Sequence, residues 1–323
     1  MPAYRHACPK GGVALNMPDN RLPDSRPQIL IPSRYYAYRS GGGRYPLSAM
    51  ADFAAETGFS GVDLSLDRYD TTDDGLPGML DAFRRRLTAK GLTLPVCHLP
   101  FYMPSPDDAD AMRRFAGEQA AALRAAARLG VGIAVVHPIV RHGSRCRDTD
   151  GDPADAWLRE NTARLSPLRE LADSLGVRLA VENMVGRPSP DTPDETVYGS
   201  RAEHVAALAD ALDCGICWDF GHAHITGACR PSDSLRVVGQ RLALVHIHDN
   251  DGKTDSHSLP GDGSIDWADA MAGLRAAGYS GCMDMELKTS DLPDDRLLRG
   301  QHASRALAAA RRLCRMRDGH ATD

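Results

Sequence analysis

The sequence predicts an α/β protein: a single (β/α)8 TIM barrel over residues 26–323, preceded by a short irregular extension, residues 1–25. Short, nearly continuous apolar runs alternate with longer Ala/Leu/Arg-rich stretches, the pattern of parallel strands covered by helices. Helical stretches stop at Gly58, Gly91, Gly130, Gly176 and Gly278, each closely followed by the next apolar run, which is C-cap chemistry. The alternation repeats eight times, which suits a closed barrel better than an open doubly wound sheet. No glycine fingerprint follows the first run, so a dinucleotide-binding fold lacks its main support.

In chain order, residues 1–25 are rich in Pro, Asn, Asp and Arg and show no periodicity, so they read as a loosely attached cover. Strand candidates follow at 29–36, 61–66, 94–98, 133–137, 177–182, 214–219, 242–248 and 281–286. The helical candidates between and after them are 47–57, 76–90, 107–129, 154–175, 200–211, 231–238, 267–277 and 294–315. The Asp/Pro-rich segment 187–195 reads as a solvated loop or a lid.

Composition narrows the function classes. Hydrophobic residues at 42% and charged residues at 25% are those of a soluble globular chain with a full core. A net charge of −5 disfavours nucleic acid as a partner, although bound divalent cations would offset it locally. The eight cysteines follow no framework spacing, and Cys97, Cys214 and Cys282 fall in or beside apolar runs, as reduced thiols of a cytoplasmic enzyme do. Cys214 and Cys217 form a lone CxxC, which without a second pair reads as structural. No apolar leader or membrane-length run is present, so the expected location is the cytoplasm, with no membrane partner.

Reactive residues gather where a barrel keeps its active site, at the C-terminal ends of the strands. His98, His137, Glu182, Asp219 and Glu286 close five strand candidates; His222 follows Asp219, and the seventh strand ends through His246 and His248. Its loop adds Asp249, Asp251, Asp255 and His257, giving six ligand-type side chains within 246–257. A single histidine or glutamate at a strand end is most simply a hydrogen-bonded structural group or a helix cap. Six consecutive strands delivering such groups to one level is different, because converging buried charge must be compensated. Bound cations are the economical compensation, and imidazole with carboxylate suits zinc, manganese, iron or cobalt.

The residues HLPF (98–101), VVHP (135–138), VENM (181–184), CWDFGHAHITG (217–227), HIHDNDG (246–252), DSHSLPGDGSIDW (255–267) and MELK (285–288) resemble the xylose-isomerase-like barrels. That superfamily contains sugar and sugar-phosphate isomerases and epimerases, inosose dehydratases and endonuclease IV, and the resemblance covers roughly residues 28–315. It implies one divalent ion held by Glu182, Asp219, His246 and Glu286. It also fills, with His98, His137, His222, Asp255 and His257, the positions that complete a trinuclear zinc centre in endonuclease IV. The chain departs from endonuclease IV in lacking its N-terminal signature and in the Arg/Asp-rich loop 141–153.

Two chemistries are therefore expected. In the first, a metal-dependent isomerase or epimerase of a sugar, sugar phosphate or cyclitol works through an enediolate, with Glu182 and Glu286 as acid and base. His222 and His248 would orient substrate hydroxyls, and Lys253 or Lys288 would receive a phosphate or carboxylate; plain solvent exposure is the simpler reading of Lys253. The alternative is a multinuclear-metal phosphoester hydrolase related to endonuclease IV. The resemblance leaves a homodimer open, and no apolar stripe in the sequence marks an interface.

Overall fold

A computed structural model describes residues 27–36, 46–67, 69, 73–143, 152–187, 195–227, 229–288, 292 and 295–320. The extension 1–25, most of loop 141–153 and most of segment 187–195 lie outside these residues.

Eight parallel strands close into a barrel: β1 (Ile29–Pro32), β2 (Gly61–Ser65), β3 (Thr93–His98), β4 (Ile133–Val136), β6 (Arg178–Glu182), β8 (Gly215–Asp219), β9 (Leu242–His246) and β10 (Met283–Asp284). The order around the barrel is β1-β10-β9-β8-β6-β4-β3-β2, and Ile29 pairs with Met283 to complete the ring. Between the strands run α1 (Leu47–Thr57), α2 (Leu76–Ala89), α3 (Ala109–Arg128), α4 (Pro153–Ser174), α5 (Ala202–Leu212), α7 (Pro231–Val238) and α8 (Trp267–Ala276), with α9 (Arg296–Asp318) closing the cycle. The expected helix-ending glycines all adopt positive φ, from 67° at Gly278 to 87° at Gly58. At Gly58 the amide also returns to the carbonyls of Ala54 and Ala55, which satisfies the last turn of α1.

Three features depart from the expected elements. The first run is a strand only to Pro32 and then tightens into a 3-10 turn, Ser33–Tyr36. Two short strands, β5 (Arg141–His142) and β7 (Val197–Tyr198), pair antiparallel above the barrel. A seven-residue helix, α6 (Phe220–Thr226), follows β8 directly. The Asp219 side chain caps it by accepting the His222 amide at 2.7 Å, and Gly227 ends it at φ +67°. Apolar periodicity could not announce so short a helix; Asp219 three residues before His222 was the available signal.

The core has two parts. The larger lies between barrel and helices, with Trp157, Phe53, Phe83 and Leu274 among its buried members. The smaller is a cluster of strand residues, Leu30, Val96, Val135, Ala180, Cys217, Ala243 and Leu244. Period-two alternation explains what sits above that cluster. Two residues beyond Val96, Val135, Ala180, Cys217 and Leu244 come His98, His137, Glu182, Asp219 and His246. The apolar cluster thus floors a polar chamber at the C-terminal mouth. Where β2 and β10 flank β1, the corresponding buried positions are carboxylates instead, Asp63 and Asp284.

Candidate metal centre

The chamber is built around Glu182, whose side chain is 1% exposed. His98 Nε2 and His137 Nε2 approach its Oε2 at 3.3 and 3.2 Å, and His222 Nδ1 and His246 Nδ1 approach its Oε1 at 3.3 and 3.2 Å. Glu286 faces it across the same imidazole: His246 Nδ1 lies 3.1 Å from Glu286 Oε2. Asp219 Oδ2 completes the group, 3.6 Å from His246 Nδ1 and 3.0 Å from His248 Nε2. The ligand atoms of Glu182, Asp219, His246 and Glu286 all fall within 4.8 Å of one another, and all four residues are buried.

Three further groups adjoin this quartet, each equally compact: His98, His137 and Glu182; Glu182, Cys217 and His246; and His222, His248, Asp255 and His257. All nine ligand positions expected from the sequence therefore converge on one chamber. His248, expected to orient substrate, is fully buried and stands in the ligand group with its ring stacked 3.8 Å from that of His257. The lysines stand elsewhere: Lys253 and Lys288 are exposed on the rim.

Backbone carbonyls set the imidazole tautomers. His98 Nδ1 is 2.9 Å from the Leu99 carbonyl, His222 Nδ1 2.9 Å from that of Asn183, and His257 Nδ1 2.6 Å from that of Glu286. Each carbonyl accepts an Nδ1–H, which leaves the Nε2 lone pair directed into the chamber, the arrangement by which proteins orient metal-binding histidines. His257 adopts this position at φ +45°, a left-handed conformation costing about 1–3 kcal/mol that its surroundings must hold in place.

Residues that the sequence reading did not single out hold the ligands. Asn183 clips the ends of β6 and β8 together: its Oδ1 accepts the Asp219 amide at 2.7 Å, and its Nδ2 donates to the Asp219 carbonyl at 2.9 Å. Arg164 donates to the His137 carbonyl. Asp249, which had looked like a ligand, instead organises its loop: it accepts from the amides of Asn250, Gly261 and Ile265 and from Trp267 Nε1 at 2.8–3.2 Å. Asp251 is a turn residue, accepting the amides of Lys253 and Thr254. Gly221 leaves room for His248, since a Cβ there would lie 1.9 Å from its Cε1. Arg34, at the end of β1, bonds Glu286 Oε1 and lies over the Phe101 ring at 5.8 Å.

Electrostatics show what the chamber favours. Burial alone would raise the Glu182 carboxyl, but His246 and His137 outweigh it and hold Glu182 well below the usual range. The same balance, against His222 and His248, depresses Asp219. Conversely, burial would lower His222 and His246, yet their carboxylate neighbours, with Cys217 beside His246, push both well above an ordinary imidazole. Positive charge is thus demanded at the centre, and protons on imidazole supply it. A divalent cation would replace those protons. The donor set fits one: imidazole nitrogens and carboxylate oxygens converge, with the Cys217 thiol beside Glu182 and His246, and Glu286 Oε2 and His248 Nδ1 are buried and without hydrogen-bond partners.

Known proteins share this architecture. The family model described as xylose isomerase-like TIM barrel matches residues 51–313. A probable endonuclease 4 of Methanoculleus marisnigri is 27% identical over 196 residues, 56% of this chain and 64% of the relative. A fructoselysine 3-epimerase of Escherichia coli O157:H7 is 34% identical over 152 residues, 46% of this chain and 51% of the relative. The chain thus spans less than two thirds of the length of either curated relative. Among solved structures, a D-tagatose 3-epimerase-like protein superposes with a TM-score of 0.69 at 20% identity, over 90% of this chain and 98% of that one, a likeness of fold. No helix among the described residues is long and apolar enough to cross a membrane.

Proposed function

Because the chain belongs to the xylose isomerase-like TIM barrel family, we propose that it is a divalent-metal-dependent isomerase or epimerase of a sugar, sugar phosphate or cyclitol. The observation that carries this reading is the pair of glutamates, Glu182 and Glu286, facing each other across His246 within one four-residue ligand group. The fructoselysine 3-epimerase relative and the epimerase-like fold support it. Glu182, Asp219, His246 and Glu286 would hold the ion, which when bound polarises a substrate carbonyl and acidifies the neighbouring C–H.

The chain's own residues divide the proton work. Both glutamates are kept ionised, so either could accept a proton from carbon, and their placement on either side of His246 would let one return it on the opposite face or at the adjacent carbon. Glu182 has imidazole nitrogens at both oxygens and is fixed. Glu286 has Arg34 on Oε1 and His246 Nδ1 3.1 Å from Oε2. His248 is held by Asp219 rather than by solvent, so its contribution is to the ligand shell. The test is Glu286→Gln assayed by solvent-deuterium incorporation into ketoses and ketocyclitols. Loss of exchange by at least about 10²-fold, with the fold retained, is expected for a general acid–base group. A variant that exchanges like the parent would remove Glu286 from the proton path.

A second reading has its own observation. The groups around His98/His137 and His222/Asp255/His257 exceed what a one-metal enzyme uses, and the endonuclease 4 relative favours a multinuclear phosphoester hydrolase. Metal content per chain separates the two: about one ion favours the first, and two or three bring hydrolysis forward.

A further inference from the structure

Six strands bring metal-ligand residues to the mouth, directly or through the segments that follow them, but β1 brings a cation. Arg34 sits in the 3-10 turn after β1, its side chain 24% exposed, with Nη2 on Glu286 Oε1 and its guanidinium against Phe101. The two oxygens of Glu286 therefore have different surroundings. Oε1 is taken by Arg34, whereas Oε2 points at His246 Nδ1 and makes no hydrogen bond.

We propose that Arg34 is a positioning residue of the metal centre: it holds Glu286 Oε1 so that the carboxylate presents only Oε2 to the ion. The inference rests on the reading of Glu286 as a ligand but on no particular substrate or reaction. Three physical points carry it. A guanidinium stays charged at any working pH, so the clamp persists when the imidazole protons leave. Its planar fork, braced on an aromatic ring, fixes direction as well as charge, which an ammonium on a flexible stem does not. Partners that orient a metal-bound carboxylate commonly govern metal affinity by 10–100-fold. Arg34 thereby also separates the two glutamates: Glu182 shares both oxygens among histidines, and Glu286 keeps one oxygen off the ion.

The experiment is Co2+ titration of chelator-stripped full-length protein, followed by visible absorbance and calorimetry without substrate. Glu286→Gln defines the component of binding that depends on Glu286. Arg34→Met is expected to weaken that component about 10–100-fold and change its absorbance, and to leave the Glu286-independent component as in the parent. Arg34→Lys keeps the charge without the fork, and should lie between the two. Parent affinity and spectrum in Arg34→Met overturn the proposal. If that variant does not fold, parent behaviour in Arg34→Lys overturns it equally, and a selective loss there supports it. Because no substrate enters the assay, absence of isomerase activity would sink the functional reading and leave this one standing.

Discussion

Asn183→Ala tests the construction of the metal centre most directly. The substitution removes a side chain that ties the end of β6 to the end of β8 by two hydrogen bonds, immediately after Glu182 and beside Asp219. Asn183 and Asp219 are both 0% exposed, so the freed Asp219 amide and carbonyl have no water to turn to. Two buried groups left unsatisfied, at about 1–3 kcal/mol each, give a loss of about 2–6 kcal/mol. That is a large share of a typical domain stability of about 5–15 kcal/mol. His222 is a built-in control, since Nδ1 donates to the backbone carbonyl of residue 183, which the substitution keeps. Urea unfolding in the presence of chelator measures the loss without metal linkage. Metal titration of the same variant should show affinity lowered about 10–100-fold, because both Glu182 and Asp219 are released from their common register. Asn183→Asp should be no better: it restores an acceptor for the Asp219 amide but sets a carboxylate against the Asp219 carbonyl. A stability change below about 0.5 kcal/mol with unchanged metal affinity would refute the clip, since that is the range of surface substitutions.

Three other outcomes are expected. Gly221→Ala should expel the His248 ring, since Cβ would fall within bonding distance of it; reduced metal content of the His222/His248/Asp255/His257 group checks this, and parent content refutes it. The paired change His98→Ala with His137→Ala should leave a one-metal epimerase nearly intact and cripple a multinuclear hydrolase, read from metal content and turnover together. His204 supplies an acid-sensitive element outside the site. Burial and then Arg201 push it down to about 4, while its Nδ1 accepts the Gly199 amide. Its folded pKa lies below the unfolded value, so its stabilisation is full above about pH 6.5 and is lost as pH falls toward 4. Unfolding free energies of chelator-treated parent from urea titration should therefore fall by roughly 2 kcal/mol more across that window than those of His204→Asn, which keeps an acceptor but does not titrate. Parallel pH profiles would contradict the assignment.

How much of this was written in the sequence depends on the range of the physics involved. Strand and helix identity follow from local periodicity, and all eight barrel strands lie within or overlap the expected runs. The mouth residues were legible for the same reason. Once a run such as 94–98 is a parallel barrel strand, period-two alternation and the position of its end settle that His98 stands above Val96 inside the barrel. Where local signals were short or interrupted, the reading stopped early. Pro32 and the turn behind it shorten the first strand, α6 is too brief for periodicity, and β5 and β7 pair residues more than fifty positions apart.

What only the tertiary structure decided is which polar residue does what. Asp249, Asp251 and Asp255 look alike by composition and spacing, yet one gathers four loop donors, one makes a turn, and one stands with His222, His248 and His257. His248 reaches the side of Asp219 and His257 because Gly221, distant in sequence, leaves space for its ring. The Asn183 clip, the carbonyls that fix the imidazole tautomers, and Arg34 on Glu286 all join residues from different strands or from opposite ends of the chain. The sequence by itself determined a barrel with imidazoles and carboxylates gathered at its mouth, because alternation and strand ends are local properties. The division of labour among the mouth residues waited on closure of the barrel, because a hydrogen bond or an ion pair is settled by distances of a few ångströms between segments that composition and spacing leave unrelated.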